Sequence, residues 1–85
     1  MKKLSLSLGM LLLPVFSWAG PVNINTADAE SLSQELVGVG MAKARAIVAY
    51  REENGDFRTP EELVKVKGIG IRLIDANEGN ILISD

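Results

Sequence analysis

The sequence predicts a small all-α domain of four short helices, preceded by an N-terminal export signal. The chain has 85 residues, enough for one domain, and twelve of its forty hydrophobic residues fall within the first nineteen. It contains neither Cys nor His, so packed helices must hold the core without disulfides or a Cys/His zinc site. Two Gly-x-Gly motifs separate the helical stretches, as expected for short helices joined by tight turns.

The first nineteen residues have the three parts of a secretory signal peptide. Two lysines follow the initiator Met, and an uncharged, Leu-rich run, Leu4–Phe16, is broken near its end by a proline. Ser17 and Ala19 are the small residues that a signal peptidase reads. We expect cleavage after Ala19, which leaves residues 20–85 as the mature domain. A spanning helix needs about 20 apolar residues, and this run is shorter. A retained membrane anchor is therefore the less favoured alternative.

The first two helices are predicted over Ala27–Leu36, with Thr26 as the N-cap, and over Met41–Glu53. Gly55 ends the second helix in a conformation with positive φ. Phe57 is the apolar anchor of the loop that follows. The predicted buried stripe of the second helix consists of Ala44, Ile47 and Val48.

The last two helices are shorter. Thr59 is a predicted N-cap for a helix over Pro60–Val66, with Glu62 placed to complete a capping box. The fourth helix is predicted over Ile71–Glu78, and the apolar tail Ile81–Ile83 should pack back on the core.

An internal repeat joins these helices in pairs. Leu36–Gly40 and Val66–Gly70 share one pattern, hydrophobic-x-Gly-hydrophobic-Gly, thirty residues apart. Glycine accepts positive φ and allows close approach of another backbone. The helix after each motif begins with unpaired N–H groups, which favour a phosphate oxygen. The repeat predicts two phosphate sites, with Val39 and Ile69 turned inward; the alternative is that both motifs are only tight helix–helix turns.

Charge is distributed unevenly along the mature chain. Residues 20–85 contain seven basic and eleven acidic residues, a net charge of −4. The windows around the two motifs, Ser33–Arg45 and Leu63–Asp75, together carry +3, and the rest carries −7. An acidic body with two basic tips suits a phosphate backbone that is touched at two points.

The cations near the motifs differ in how strongly they indicate function. Lys43 and Arg72 lie in the first turn of a helix, where cations oppose the helix dipole, and Lys67 lies within the turn itself. Lys65 has an alternative role, as the partner of Glu61 in an i,i+4 ion pair on the helix. For Arg45 the alternative is that its side chain is only solvated surface. The candidate DNA-binding residues are Gly38, Val39, Gly40, Lys43, Arg45, Lys67, Gly68, Ile69, Gly70 and Arg72.

Composition argues against catalysis. Without imidazole or thiol, an enzyme would depend on carboxylates, Lys, Ser or Tyr in a domain too small for a deep pocket. We therefore expect a protein that is not an enzyme and has no metal, cofactor or small-molecule substrate.

Four segments carry a resemblance to a known family: Asn23–Ala27, Gly38–Ile47, Tyr50–Phe57 and Val66–Gly70. Together they resemble the tandem helix-hairpin-helix domain of the ComEA competence proteins. The resemblance implies sequence-independent binding of double-stranded DNA and retention of incoming DNA in the periplasm during natural transformation. It is greatest to the short periplasmic members of Gram-negative bacteria, and it makes DNA-uptake components of the outer or inner membrane candidate partners.

The chain departs from the family pattern at both motifs. Val37 replaces a common proline, the leucine spacing indicates one extra residue in the first helix, and Ile71-Arg72 replaces a frequent Glu-Lys. The apolar Ile71 favours a second class of function, a protein-interaction module of a secretion or pilus system. The cations at both motifs favour DNA.

Overall fold

The computed structural model describes residues 20–85, so the predicted signal segment, residues 1–19, lies outside the described part. Half of the described residues lie in helices. In chain order the elements are β1 (Val22–Asn23), α1 (Ala29–Glu35), α2 (Met41–Asn54), a 3₁₀ helix (Pro60–Lys65), α3 (Ile71–Ala76) and β2 (Ile81–Leu82). We call α1, α2 and the turn between them the first hairpin, and the 3₁₀ helix, α3 and their turn the second hairpin.

The two ends of the domain meet in a two-stranded parallel sheet. Val22 pairs with Ile81 and Asn23 pairs with Leu82. The Ile24 amide extends the pairing by donating to the Leu82 carbonyl at 2.9 Å. Ile81 is buried and Ile83 packs against the core, as predicted for the apolar tail, whereas Leu82 is 39% exposed. Because β1 precedes the first hairpin and β2 follows the second, their pairing joins the two ends of the domain.

The first helix begins two residues later than predicted, because Asp28 caps it and Thr26 does not. The Asp28 carboxylate accepts the Ser31 amide at 2.8 Å, whereas Thr26 donates its own amide to the Asn23 carbonyl in a preceding turn. The Ser31 amide also holds the pKa of Asp28 below its ordinary value. Both residues are good N-caps by type, and the turn that Asn23 begins decides between them.

The second helix matches its prediction, and Gly55 ends it with φ 91°. The third helix is a 3₁₀ helix without the predicted capping box. Thr59 occupies the N-cap position but makes no side-chain hydrogen bond there. The Glu62 carboxylate instead accepts the Arg58 amide at 3.0 Å, one residue further back.

The core lies between the two hairpins. Val39 and Ile69, the central residues of the two motifs, are buried as predicted. Phe57 is 2% exposed and its ring stacks on Tyr50, with 5.3 Å between centroids. The buried hydrophobic residues are Val22, Ile24, Leu32, Leu36, Val39, Ala44, Ile47, Phe57, Leu63, Val66, Ile69, Ile74 and Ile81.

Asn25 ties the chain segments outside the hairpins together. Its side-chain NH2 donates to the carbonyls of Phe57 and Ile83, both at 3.0 Å, and its oxygen accepts the Phe57 amide at 2.7 Å. Arg51 adds a hydrogen bond from its guanidinium to the Ile24 carbonyl at 2.8 Å. The Asn-Ile-Asn segment therefore stabilises the fold. Within residues 20–85, none of the helices is both long enough and apolar enough to cross a membrane.

Candidate nucleic-acid interface

The two Gly-x-Gly turns adopt the same backbone conformation. Gly38 has φ 80° and Gly68 has φ 91°, values that a side chain with a Cβ rarely adopts. In each turn the central aliphatic residue donates its amide to the residue three positions earlier, at 3.3 Å for Val39 and 3.0 Å for Ile69. The repeat seen in the sequence is thus a repeat in structure.

The second helix of each hairpin packs against the turn of the other hairpin. A Cβ built on Gly38 would lie 2.8 Å from Cδ1 of Leu73, and one built on Gly68 would lie 3.7 Å from Cε of Lys43. Leu73 follows Lys43 by the same thirty residues that separate the two glycines. These reciprocal contacts relate the hairpins by an approximate twofold symmetry and place the turns side by side.

The helices that follow the turns begin without a side-chain cap. Gly40 and Gly70 are their N-caps, both in extended conformation, and neither supplies a side-chain hydrogen bond. By contrast, α1 has the Asp28 cap and the 3₁₀ helix has two acids in its first turn, while α2 and α3 have none. The first two amides of α2 and of α3 are therefore left for an external acceptor, whereas the Leu73 amide of α3 donates to the Gly70 carbonyl at 3.1 Å.

The cations do not divide between the turns as the sequence suggested. Lys67 and Arg72 are exposed beside the second turn. Lys43 is half-buried, because its aliphatic stem lies over Gly68 of the second hairpin. Arg45 is exposed on α2, at the position that corresponds to Asp75 in α3. The sequence grouped Lys43 with the first turn, and the structure brings it to the second.

Asn77 supports the first turn, and sequence reasoning did not identify it. Its side-chain oxygen accepts the Val37 amide at 2.7 Å, and its NH2 group donates to the carbonyls of Val37 and Leu73, both at 2.9 Å. Asn77 is 1% exposed, in the place that Ile47 takes in the first hairpin. The sequence signal that could have identified Asn77 is its side-chain amide, which stands where the thirty-residue repeat predicts an aliphatic side chain.

Apolar side chains are also exposed around the turns. Val37 is 50% exposed and Ile71 is 55% exposed, and Met41 is 39% exposed at the position that corresponds to Ile71. Each hairpin tip therefore offers both uncapped amides and an aliphatic surface.

An open groove elsewhere on the domain shares no residue with either turn. It mixes acids and bases around the exposed edge of Tyr50. Among residues 20–85, no three His, Cys, Asp or Glu side chains are grouped so that they could hold a metal ion. The groove is lined by Tyr50, Asn54, Gly55, Asp56, Arg58, Glu62 and Lys65.

Comparison with known proteins agrees with this architecture. A family model described as "Helix-hairpin-helix motif" matches residues 18–82. The chain is 52% identical over 62 residues to ComE operon protein 1 of Bacillus subtilis, and 44% identical over 61 residues to an uncharacterized protein of Haemophilus influenzae. It is 43% identical over 63 residues to the human endonuclease/exonuclease/phosphatase family domain-containing protein 1.

These matches cover different shares of the proteins concerned. They take in 73%, 72% and 74% of this chain, but only 30% of the Bacillus protein, 54% of the Haemophilus protein and 11% of the human protein. The family model, over residues 18–82, takes in both hairpins. The chain belongs to the helix-hairpin-helix family, and its similarity to ComE operon protein 1 supports the resemblance to the ComEA proteins.

Proposed function

We propose that this protein binds double-stranded DNA without regard to base sequence, through phosphate contacts at its two turns. The observation that carries the proposal is the pair of uncapped helix starts, at Gly40 and Gly70, which lie side by side and have cations beside them. Two adjacent turns suit a duplex, whose phosphates are regularly spaced along both strands. The similarity to ComE operon protein 1 of Bacillus subtilis supports the same function.

The aromatic residues favour a duplex over a single strand. Proteins that hold single strands stack bases on exposed aromatic rings. Within residues 20–85 the aromatic side chains are Tyr50 and Phe57, which stack on each other. Neither ring belongs to a turn, so bases have no stacking platform beside the phosphate contacts.

Sequence independence follows from what the turns present. Base pairs are distinguished in the major groove by a helix or ribbon that carries Arg, Asn or Gln to the base edges. Each turn here offers backbone amides, an aliphatic residue and cations at a helix end, which are groups suited to phosphate and sugar. We therefore expect one affinity for duplexes of different sequence.

The biological setting that we propose is DNA uptake in the periplasm during natural transformation. The N-terminal segment, residues 1–19, has the pattern of a cleaved signal peptide. DNA-uptake components of the outer or inner membrane are the proposed further partners. N-terminal sequencing of the periplasmic protein should begin at Gly20, and intact chain in the membrane fraction would contradict export by cleavage.

We also infer that the protein binds and does not catalyse. The helix-hairpin-helix architecture and the similarity to ComE operon protein 1 support a binding role. The human relative is named after enzymes, but the matched segment is 11% of that protein.

A second candidate is a protein-interaction module of a secretion or pilus system. The observation in its favour is the exposed aliphatic surface at Val37, Met41 and Ile71. Such a partner would bind the apolar tips, and its affinity would depend little on salt.

Binding to DNA at several salt concentrations separates the two candidates. The purified protein is titrated into short labelled duplexes of unrelated sequence and into the matching single strands. We expect equal affinity for all duplexes, weaker binding to single strands, and a slope of log K against log salt of roughly −2 to −4, since two to four phosphates release counterions at about 0.9 each. Absence of duplex binding at low salt, or a preference for one sequence, would overturn the proposal.

A further inference from the structure

We propose that the electrostatic part of DNA binding belongs to the second hairpin, and that Lys43 of the first hairpin supplies one of its cations. On this account the first hairpin contacts the backbone through amides and aliphatic side chains. The inference rests on the proposed function and assigns a different kind of DNA contact to each of the two turns.

The position of the Lys43 stem is the first observation. A Cβ on Gly68 would lie 3.7 Å from Cε and 3.8 Å from Cγ of Lys43, so the stem crosses the surface of the second turn. The ammonium is one bond beyond Cε and therefore lies at that turn. Packing of the stem against the glycine orders a long side chain before DNA arrives, which lowers the entropy lost on binding.

The approximate twofold symmetry supplies the second observation. At the second turn three positions carry cations: Lys67 before the first glycine, Arg72 in the first turn of α3, and Lys43 across from the other hairpin. The corresponding positions at the first turn are all apolar. They are occupied by Val37, Ala42 and Leu73.

The remaining cation of the first hairpin does not restore the balance. Arg45 is five residues past Gly40, one helical turn beyond the position of Arg72 in the second hairpin. Its counterpart in α3 is Asp75, so the position differs in charge between the hairpins. The two turns are thus equal in backbone conformation and unequal in charge.

Single variants test the assignment through the salt dependence of duplex binding. Lys43→Met keeps an apolar stem and removes the ammonium. We expect it to weaken duplex binding roughly fivefold at ~0.15 M salt and to make the slope shallower by about one unit, as Arg72→Met should. Arg58→Met, in the open groove, is the matched control and should leave affinity and slope unchanged, while Arg45→Met should change the slope by less than half a unit.

Adding a lysine to the corresponding position at the first turn tests the symmetry argument by a gain of salt dependence instead of a loss. Leu73→Lys places a lysine stem over Gly38, in the geometry that Lys43 has over Gly68, and should make the slope steeper by about one unit. Leu73→Met is its control for packing, and thermal melting of both checks the fold. If Leu73→Lys does not fold, the Lys43→Met and Arg45→Met results decide alone.

Coupling between variants shows which turn Lys43 serves. Neighbouring groups on one phosphate are energetically coupled, whereas separate sites are additive. Lys43→Met combined with Arg72→Met should depart from additivity by about threefold or more; combined with Gly40→Asp, which blocks the first turn, it should be additive within about twofold. The reverse pattern, or an unchanged slope for Lys43→Met, overturns the assignment. Absence of duplex binding by the wild type overturns the proposed function and this inference with it.

Discussion

At the scale of single residues, the site depends on two glycines that have different surroundings. Gly38 and Gly68 both have positive φ, but only a Cβ on Gly38 would meet a neighbour closer than 3.0 Å, the Cδ1 of Leu73. Gly40 and Gly70 have negative φ and nothing within 4 Å of a Cβ. In each motif, therefore, the first glycine is required by its positive φ, and the second glycine is not required by its backbone conformation.

We predict that alanine substitutions follow this order. Gly68→Ala should cost about 1–2 kcal/mol of stability from backbone strain. Gly38→Ala should cost more, because Leu73 must also move, and Gly70→Ala should cost under about 1 kcal/mol. Urea unfolding measures all three. Equal losses at Gly38 and Gly70 would show that the turn conformation is not the constraint.

Gly68→Val should abolish duplex binding, since the side chain resists the turn and covers the surface that a phosphate approaches. Circular dichroism accompanies the measurement. Retained helical signal with full affinity would contradict the role of this turn.

Asn77 is the other single residue on which the site depends. Its side chain pairs with both backbone groups of Val37, so Asn77→Leu leaves a partly buried amide and carbonyl without their partner. We predict a loss of about 2–3 kcal/mol and faster hydrogen exchange at the Val37 amide than at amides of the second turn. If exchange rises equally at both turns, Asn77 supports the core in general and not the first turn.

At the scale of elements, the absence of caps on α2 and α3 sets binding against stability. A side chain at the N-cap would satisfy a first-turn amide, as Asp28 does for α1. With glycine there, the helices give up a few tenths of a kcal/mol and keep their amides available.

Installing caps should therefore separate the two properties. Gly40→Asp and Gly70→Asp each place a carboxylate on first-turn amides, in an extended backbone that suits an N-cap. We predict that thermal stability is unchanged or slightly raised, while duplex affinity falls at least tenfold. Asn54→Asp, exposed in the open groove, controls for added negative charge alone and should leave affinity unchanged. Caps that leave affinity intact would exclude the amides from the interface.

The sequence allowed some elements to be predicted and not others, for physical reasons. The 14 residues of α2 lie between Gly40 and Gly55, which mark its two ends, and its bounds were predicted closely. Over the 6 residues Pro60–Lys65, the apolar pattern does not distinguish an α-helix from a 3₁₀ helix. Of Thr26 and Asp28, each a good cap, tertiary hydrogen bonds selected the second.

The site was predictable as far as it is local. The repeat identified both turns and the inward position of Val39 and Ile69. The role of Asn77 and the placement of Lys43 over Gly68 depend on which helix packs against which turn. Spacing along the chain does not contain that information.

At the scale of the whole molecule, the two hairpins act as one body. The parallel pairing of β1 with β2 closes the domain, and Asn77 joins α3 to the first turn. Two contacts on one rigid body bind as a linked pair, so losing either should cost far more than half of the affinity. The acidic remainder of the surface, at −7 outside the two windows, would repel DNA from every other face.

The most direct test of the central claim, that both turns contact duplex DNA, is an amide chemical-shift titration of the protein with a short duplex. We predict that the largest shifts fall on Gly38–Lys43 and Lys67–Arg72, with small shifts around Tyr50 and Arg58 in the open groove. Shifts centred on the groove, or confined to one turn, would contradict the two-turn account.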